Sequence, residues 1–386
     1  MTAQLNLYGD GIHDDTAALQ ELIDCSGGDV FIPGGTYLIS DTLFIHSNTS
    51  LKLAHTAIIR LADDACCIML ANDKWMRPGR NKNIVVEGGT WDGNNEHQRR
   101  GKVFENKPYF CGTVMRFEGI EDLYIHNVTF KDPEAYACQI LDADRFTVEN
   151  INFDFNMYRP NMDGIHIQGP ARNGYVRNIK GATNDDLVAL NCDDSYHDWN
   201  NTYITQGDIE NITVDGLYAD NGYTGVRLLS CGSKLRNVTI RNIFGTYRLF
   251  GVSFTHHNII PGAPVWFDNI NIDGIYCSKQ PQDPPVDRRF IDGLDKFYGE
   301  GCHDWQIRHA DIIYFESGVQ CGNVTLSNIF RYEKAVTEAY TIHLTPDSSV
   351  RRLVINNVTQ QFVNCPEQPL FMNEGTVENL LVTAGG

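Results

Sequence analysis

Two short segments carry carboxylates at a spacing that suits acid–base chemistry. They are Asn161-Met162-Asp163-Gly164-Ile165-His166-Ile167 and Asn184-Asp185-Asp186-Leu187-Val188-Ala189-Leu190-Asn191, with Asp163 and Asp185 22 positions apart. If that distance is one turn of a stacked β structure, equivalent positions lie about 4.8 Å apart, and Asp163, Asp185 and Asp186 gather on one face. Like charges that close raise at least one pKa, so one carboxyl stays protonated as a general acid while a neighbour serves as base. Glycoside hydrolysis requires such a set. A single Asp in such a place also reads as a turn residue or Asx cap; three of them one coil apart favour chemistry. Parity adds a condition. Asp163 shares its parity with Ile165 and Ile167, and Asp186 with Val188 and Leu190. Straight strands would drive both into an apolar core, where an unpaired carboxylate is prohibitive, so bends are expected at Gly164 and at Asn184-Asp185.

The neighbouring side chains refine this. His166 falls beside Asp163, where it would tune proton affinity or bond a sugar hydroxyl. The adjacent His256 and His257 would point to opposite faces of a strand and cannot readily share one ion, and no other metal motif appears, so no metal or cofactor is expected. Asp193 and Asp194 extend the acidic run and read as a solvated turn.

The elements that must position these residues are mostly short strands. Asp14 or Asp15 is placed to N-cap a helix at about 13–24 whose apolar face is Ala18, Leu19, Leu22 and Ile23. Gly27-Gly28 ends it, and Val30-Phe31-Ile32-Pro33-Gly34-Gly35 reads as strand and turn. From there similar strands recur, each with Asn just before an inward aliphatic, as in Asn127-Val128, Asn150-Ile151, Asn178-Ile179 and Asn242-Ile243. Taking Val128, Ile151, Ile179, Leu217, Ile243 and Ile275 as anchors gives steps of 23, 28, 38, 26 and 32 residues, the range of a solenoid with loops of varied length. Stacked coils bury a continuous aliphatic core, and the junction Asn residues suit amide ladders or left-handed bends. The Asn-x-Thr tripeptides follow from the same repeat rather than marking glycosylation. The expectation is an all-β, single-domain right-handed parallel β-helix over 1–386, with residues 1–40 as N-terminal cap and first coil and loop insertions at about 94–111 and 278–304.

Composition narrows the partners. Lys plus Arg total 31 against 49 Asp plus Glu, a net charge of −18 that repels nucleic acid and anionic membrane surfaces. No apolar run reaches the roughly 18 residues of a membrane span, and no secretory leader is visible at the start, so a cytoplasmic location is expected unless the chain has been trimmed. The eleven cysteines, with no C-x-x-C, fit buried reduced thiols.

The motifs together resemble the polygalacturonase family, glycoside hydrolase family 28, of the pectate-lyase-like β-helix superfamily. The resemblance runs from Gly9-Asp10-Gly11 and Asp14-Asp15-Thr16, through Phe31 to Tyr37 and Gly88-Gly89-Thr90-Trp91-Asp92-Gly93, to the two carboxylate segments, and thins after about residue 256. It implies that Asn161 and Asp163 stand in the family's Asn-Thr-Asp-Gly, that Asp185 is the general acid, and that Asp163 and Asp186 activate water with inversion. Two departures stand out. The family's Gly-His-Gly is matched by Gly222-Tyr223-Thr224-Gly225, with Tyr223 in the histidine's place, and its Arg-Ile-Lys best by Gly251-Val252-Ser253-Phe254-Thr255-His256, so neither charge is retained at the expected place. Arg227, Arg248 or His256 would then hold an acidic sugar, and Trp75, Trp199 or Tyr223 would stack a neutral one. The resulting expectation is an inverting hydrolase of a pectin-like or related plant or microbial oligo- or polysaccharide, with loops closing a groove for exo action. The alternatives are a polysaccharide lyase on the same fold and a non-catalytic glycan-binding or tailspike-like protein.

Overall fold

The computed structural model describes residues 7–75, 77–98, 112–159, 161–193, 205–256, 266–280 and 310–383. Its strands pair in parallel from one coil to the next, and the register confirms the repeat. Val128 lies across from Ile151, then come Ile179, Leu217, Ile243 and Ile275, each one coil on, followed by Ile329 and Val358. A second inward row, Ile140, Ile167, Leu190, Leu228, Phe254 and Phe315, runs through the same coils, and all six are fully buried. Phe254 and Phe315 stack at 4.2 Å between ring centroids, so aromatic rings continue the aliphatic row through the later coils.

The strands are longer than their sequence pattern implies: Cys138–Asp154 and Ile165–Lys180 run through corners without a break. The corners are residues in the left-handed region. One line consists of Asn48, Asn83, Asp122, Arg145, Asn173, Asn211, Asn237 and Asn269, and another contains Asn127, Asn150, Asn178, Asn242, Asn328 and Asn357. Asn tolerates this conformation, and its amide then bonds the next coil, as in Asn150 Nδ2 to Asn127 Oδ1 at 3.1 Å and Asn237 Nδ2 to Asn211 Oδ1 at 3.1 Å. Bend and ladder are therefore one device.

Helix α1 (Thr16–Cys25) seats Leu19 and Ile23 on the first coils and closes that end. Its capping differs from expectation. Asp15 occupies the N-cap position, but its carboxylate accepts from the N–H groups of Tyr8 and Gly9, while Asp14 accepts from Thr16 N at 2.8 Å. Among the described residues Cys67, Cys138, Cys192, Cys231, Cys277 and Cys321 are buried free thiols. Of the two expected loops, residues 99–111 and 281–304 lie outside the described residues.

Candidate functional site

The site lies on the outer face of the sheet that carries Ile165–Gln168, Val188–Asn191, Val226–Leu229 and Val252–Thr255. Ile165 and Ile167 point into the core, so His166 and Gln168 point out. Asp163 escapes the core through the bend that its parity demands. Gly164 makes this possible, because any Cβ there would collide with the Leu187 carbonyl and the Phe153 ring. The Asp163 carboxylate turns to the outer face, with Oδ2 2.8 Å from His166 Nδ1.

Backbone bonds fix which carboxylates are neighbours. Ile165 pairs with Val188, and Gly164 N donates to Asp186 O at 2.8 Å, so Asp163 stands in register with Asp186 one coil on. The true coil is therefore one residue longer than the 22-position spacing, with Asp185 just ahead of the matched pair. Asn161, itself left-handed, donates from Nδ2 to Asp185 Oδ2 at 3.4 Å and so joins the group. Thr183 Oγ1 donates to Asp185 O at 2.6 Å.

Burial and mutual repulsion shape the protonation of this group. Burial pushes Asp186 well above the usual carboxylate range and the adjacent Asp185 charge pushes it further, while Arg227 opposes both. Asp185 is also raised by burial, against the pull of Arg227 and His166. The pair thus holds a proton more tightly than free carboxyls do and titrates as a unit. Arg227 Nη1 lies 3.7 Å from Asp186 Oδ2, and its Nε donates to Thr255 Oγ1 at 3.0 Å.

Around the acids sits a polar shell. His166 stacks on Tyr136, with ring centroids 4.6 Å apart, and its Nε2 is 3.2 Å from Asn191 Nδ2. Arg116 donates to Gln139 Oε1 at 2.8 Å, and Gln139 reaches Gln168 Oε1 at 3.4 Å. Between His166 and Arg227 the row is occupied by Ala189, whose small side chain separates the ring from the guanidinium. Among the described residues, Gln168 Nε2 and Ser253 Oγ are buried and have no partner. Such unpaired groups suit bonds to a hydroxyl-rich ligand.

The other expected residues divide. Tyr223 is placed beside Asp185: its phenol is raised by burial and by the Asp185 and Asp186 charges, and Arg248 lies over its ring at 5.4 Å. It does not take the position facing Asp186. Register puts Thr224 there, and the Thr224 hydroxyl bonds the Asp186 carboxylate. Gly222-Tyr223-Thr224-Gly225 holds two residues between its glycines where the resembled family has one, and here Tyr223 lies toward Asp185 and Thr224 bonds Asp186. Arg248 is buried to 7% exposure, brought down to about 10 by that burial, and donates from Nη2 to Thr183 O and Asn184 Oδ1, both at 3.0 Å. His256 stands apart, bonded through Nε2 to Ser317 O and through its N–H to Glu316. Asp193 is a turn acceptor, taking bonds from the N–H groups of Cys231 and Ser233. Trp75 lies under Arg116 at 5.6 Å. Asp194, Trp199 and His257 fall outside the described residues. Sequence reading missed Thr224, Thr255, Gln139, Gln168 and Asn191. Their signal is a polar residue at an outward position of an otherwise apolar strand, visible only once the coils are aligned. Among the described residues no group of three or more His, Cys, Asp or Glu is arranged to hold a metal ion.

A family described as "Rhamnogalacturonase A/epimerase, pectate lyase-like" matches residues 3–57. Plasmin and fibronectin-binding protein A of Streptococcus pneumoniae is 31% identical over 164 residues, covering 38% of this chain and 22% of the relative. A polygalacturonase of Persea americana is 26% identical over 193 residues, covering 47% of this chain and 41% of the relative. The chain thus matches well under half the length of these curated relatives. The crystal structure of an endo-xylogalacturonan hydrolase from Aspergillus tubingensis superposes with a TM-score of 0.59 at 14% identity, covering 98% of each chain. By its coils and these likenesses, the chain has the right-handed parallel β-helix fold, and its first coils are similar to that pectate-lyase-like family.

Proposed function

We propose that this chain is an inverting glycoside hydrolase of a pectin-like or related glycan, acting from a chain end. The observation that carries the reading is the placement of Asp163 and Asp186 in register on adjacent coils, with Asp185 beside them and the latter two held toward their protonated forms. The Asp185/Asp186 pair shares the proton that burial holds on it, and Asp185 passes it to the departing glycosidic oxygen. Asp163 and Asp186 bind and activate the water that attacks from the opposite side. His166, held by Asp163 on Nδ1 and next to Asn191 on Nε2, fixes the orientation of the Asp163 carboxylate. Arg227 limits how far the pair's proton affinity rises and offers a cation to an acidic sugar.

A second reading, a binding protein without turnover, is favoured by the likeness to a plasmin and fibronectin-binding protein and by Gly222-Tyr223-Thr224-Gly225 standing where the resembled family carries Gly-His-Gly. The two separate in one assay. Incubation with acidic and neutral oligosaccharides, wild type beside Asp185→Asn, yields new reducing ends without ultraviolet absorbance if the chain is a hydrolase. Binding without products supports the second reading, and absorbing products indicate a lyase.

A further inference from the structure

A second group of ionisable side chains lies apart from the carboxylates and reaches them through Arg248. Lys279, Arg331 and Glu333 are all buried to 2% exposure or less. The Glu333 carboxylate is fully engaged: it accepts from Arg331 Nε at 2.9 Å, from Lys279 N at 3.1 Å and from Ala335 N at 3.0 Å. Arg331 also donates to Ala339 O at 2.9 Å. Lys279 turns its ammonium away from this pair and donates to the carbonyl of Arg248 at 3.0 Å and to that of Leu249. The same two residues are tied on their other side, with Arg248 N to Gly222 O at 2.7 Å and Leu249 N to Tyr223 O at 2.9 Å.

The clamp leads directly to the site. From the clamped backbone the Arg248 guanidinium spans to Thr183 O and Asn184 Oδ1, and Asn184 is braced in turn by Arg159 O at 2.8 Å. Thr183 then bonds Asp185 O. Every link is a hydrogen bond, and together they cross from the strand ending at Lys279 to the bend that presents Asp185. An apolar side chain would fill the place of Lys279 at lower cost than a desolvated ammonium, whose pKa burial brings down to about 7. A buried ammonium here calls for a reason other than packing.

We propose that Lys279 and Arg248 are positioning residues for Asp185: Lys279 fixes the 248–249 backbone so that Arg248 holds residues 183–184 and thereby aims the Asp185 carboxyl. The catalytic part of this role rests on the hydrolase reading above, whereas the structural coupling does not.

The test reads Asp185 directly. Its carboxyl carbon is followed by 13C NMR against pH in wild type, Arg248→Met, Lys279→Met, the double variant and Lys279→Gln, with circular dichroism confirming the fold. Arg248→Met removes a cation that Asp185 attracts and raises the Asp185 titration by at least about half a pH unit. Lys279→Met shifts it the same way, and the double variant shifts it no further than Arg248→Met alone. Should Lys279→Met not fold, Lys279→Gln decides, since its shorter amide donor predicts a smaller shift in the same direction. A folded Lys279 variant with an unmoved Asp185 titration, or single shifts that add in the double variant, overturns the proposal. On a glycan that the wild type hydrolyses, the variants lower kcat with KM within about twofold. An inactive wild type whose Asp185 still responds as stated refutes the hydrolase and leaves the coupling; an active wild type with an unresponsive Asp185 does the reverse.

Discussion

Replacing Arg227 by Met tests the electrostatic account of the site. Arg227 Nη1 lies 3.7 Å from Asp186 Oδ2. At an effective dielectric constant of about 20, unit charges that far apart attract by about 4 kcal/mol, or about three pKa units. The Arg227 side chain is 25% exposed, and solvent screening reduces the effect to about one to two units. Removing the cation disfavours the charged carboxylates, so both titration steps of the Asp185/Asp186 pair move to higher pH. Met keeps the aliphatic stem, and Arg227→Lys returns the charge. The assay is the carboxyl 13C titration of the pair, with the acid limb of the kcat/KM profile as a second readout. Arg227→Met moves both upward, and Arg227→Lys restores most of the shift. A folded Arg227→Met protein whose pair titrates unchanged, or lower, refutes the reasoning.

Three further outcomes follow from the fold. Asn150→Ala loses both left-handed tolerance and its amide bonds to Asn127 and Asn178, and costs about 2 kcal/mol in urea unfolding; Asn150→Gly recovers the backbone share but not the ladder. Gly164→Ala drives a methyl into Leu187 O and the Phe153 ring, lowers stability by about 3 kcal/mol and disturbs Asp163, read as a fall in both midpoint and activity. Asp132 is raised to about 6, chiefly by burial, so between about pH 4 and 6 the folded state binds more protons than the unfolded chain, and stability falls as pH rises through that window. Asp132→Asn, which can still accept from Asn156 N, is therefore more stable than wild type by about 1 kcal/mol at pH 7, and the gain disappears below about pH 4 in pH-dependent thermal unfolding.

Much of the architecture was legible because the solenoid repeats one physical solution. Inward aliphatics at Val128, Ile151, Ile179, Leu217, Ile243 and Ile275 proved to be register partners, and the Asn before several of them proved to be both bend and ladder. The carboxylates were legible as a group because their segments fall one coil apart. Which of them match was not: a coil of 23 residues rather than 22 pairs Asp163 with Asp186, and only the backbone bonds at Gly164 reveal it. His256 reads from its segment as a candidate to hold an acidic sugar, and its bonds to Ser317 O and Glu316 come from a distant part of the sequence that no local pattern reveals. Arg248 and Lys279 show the same limit. Their roles depend on contacts across 31 to 65 positions, which no local pattern encodes.

The most direct test of the central claim is the reducing-end assay on a panel of acidic and neutral oligosaccharides, with ultraviolet absorbance recorded together and Asp185→Asn beside the wild type. The account predicts new reducing ends without absorbance from the wild type and none from the variant. Products that survive in Asp185→Asn, products that absorb, or binding with no products across the panel would contradict it.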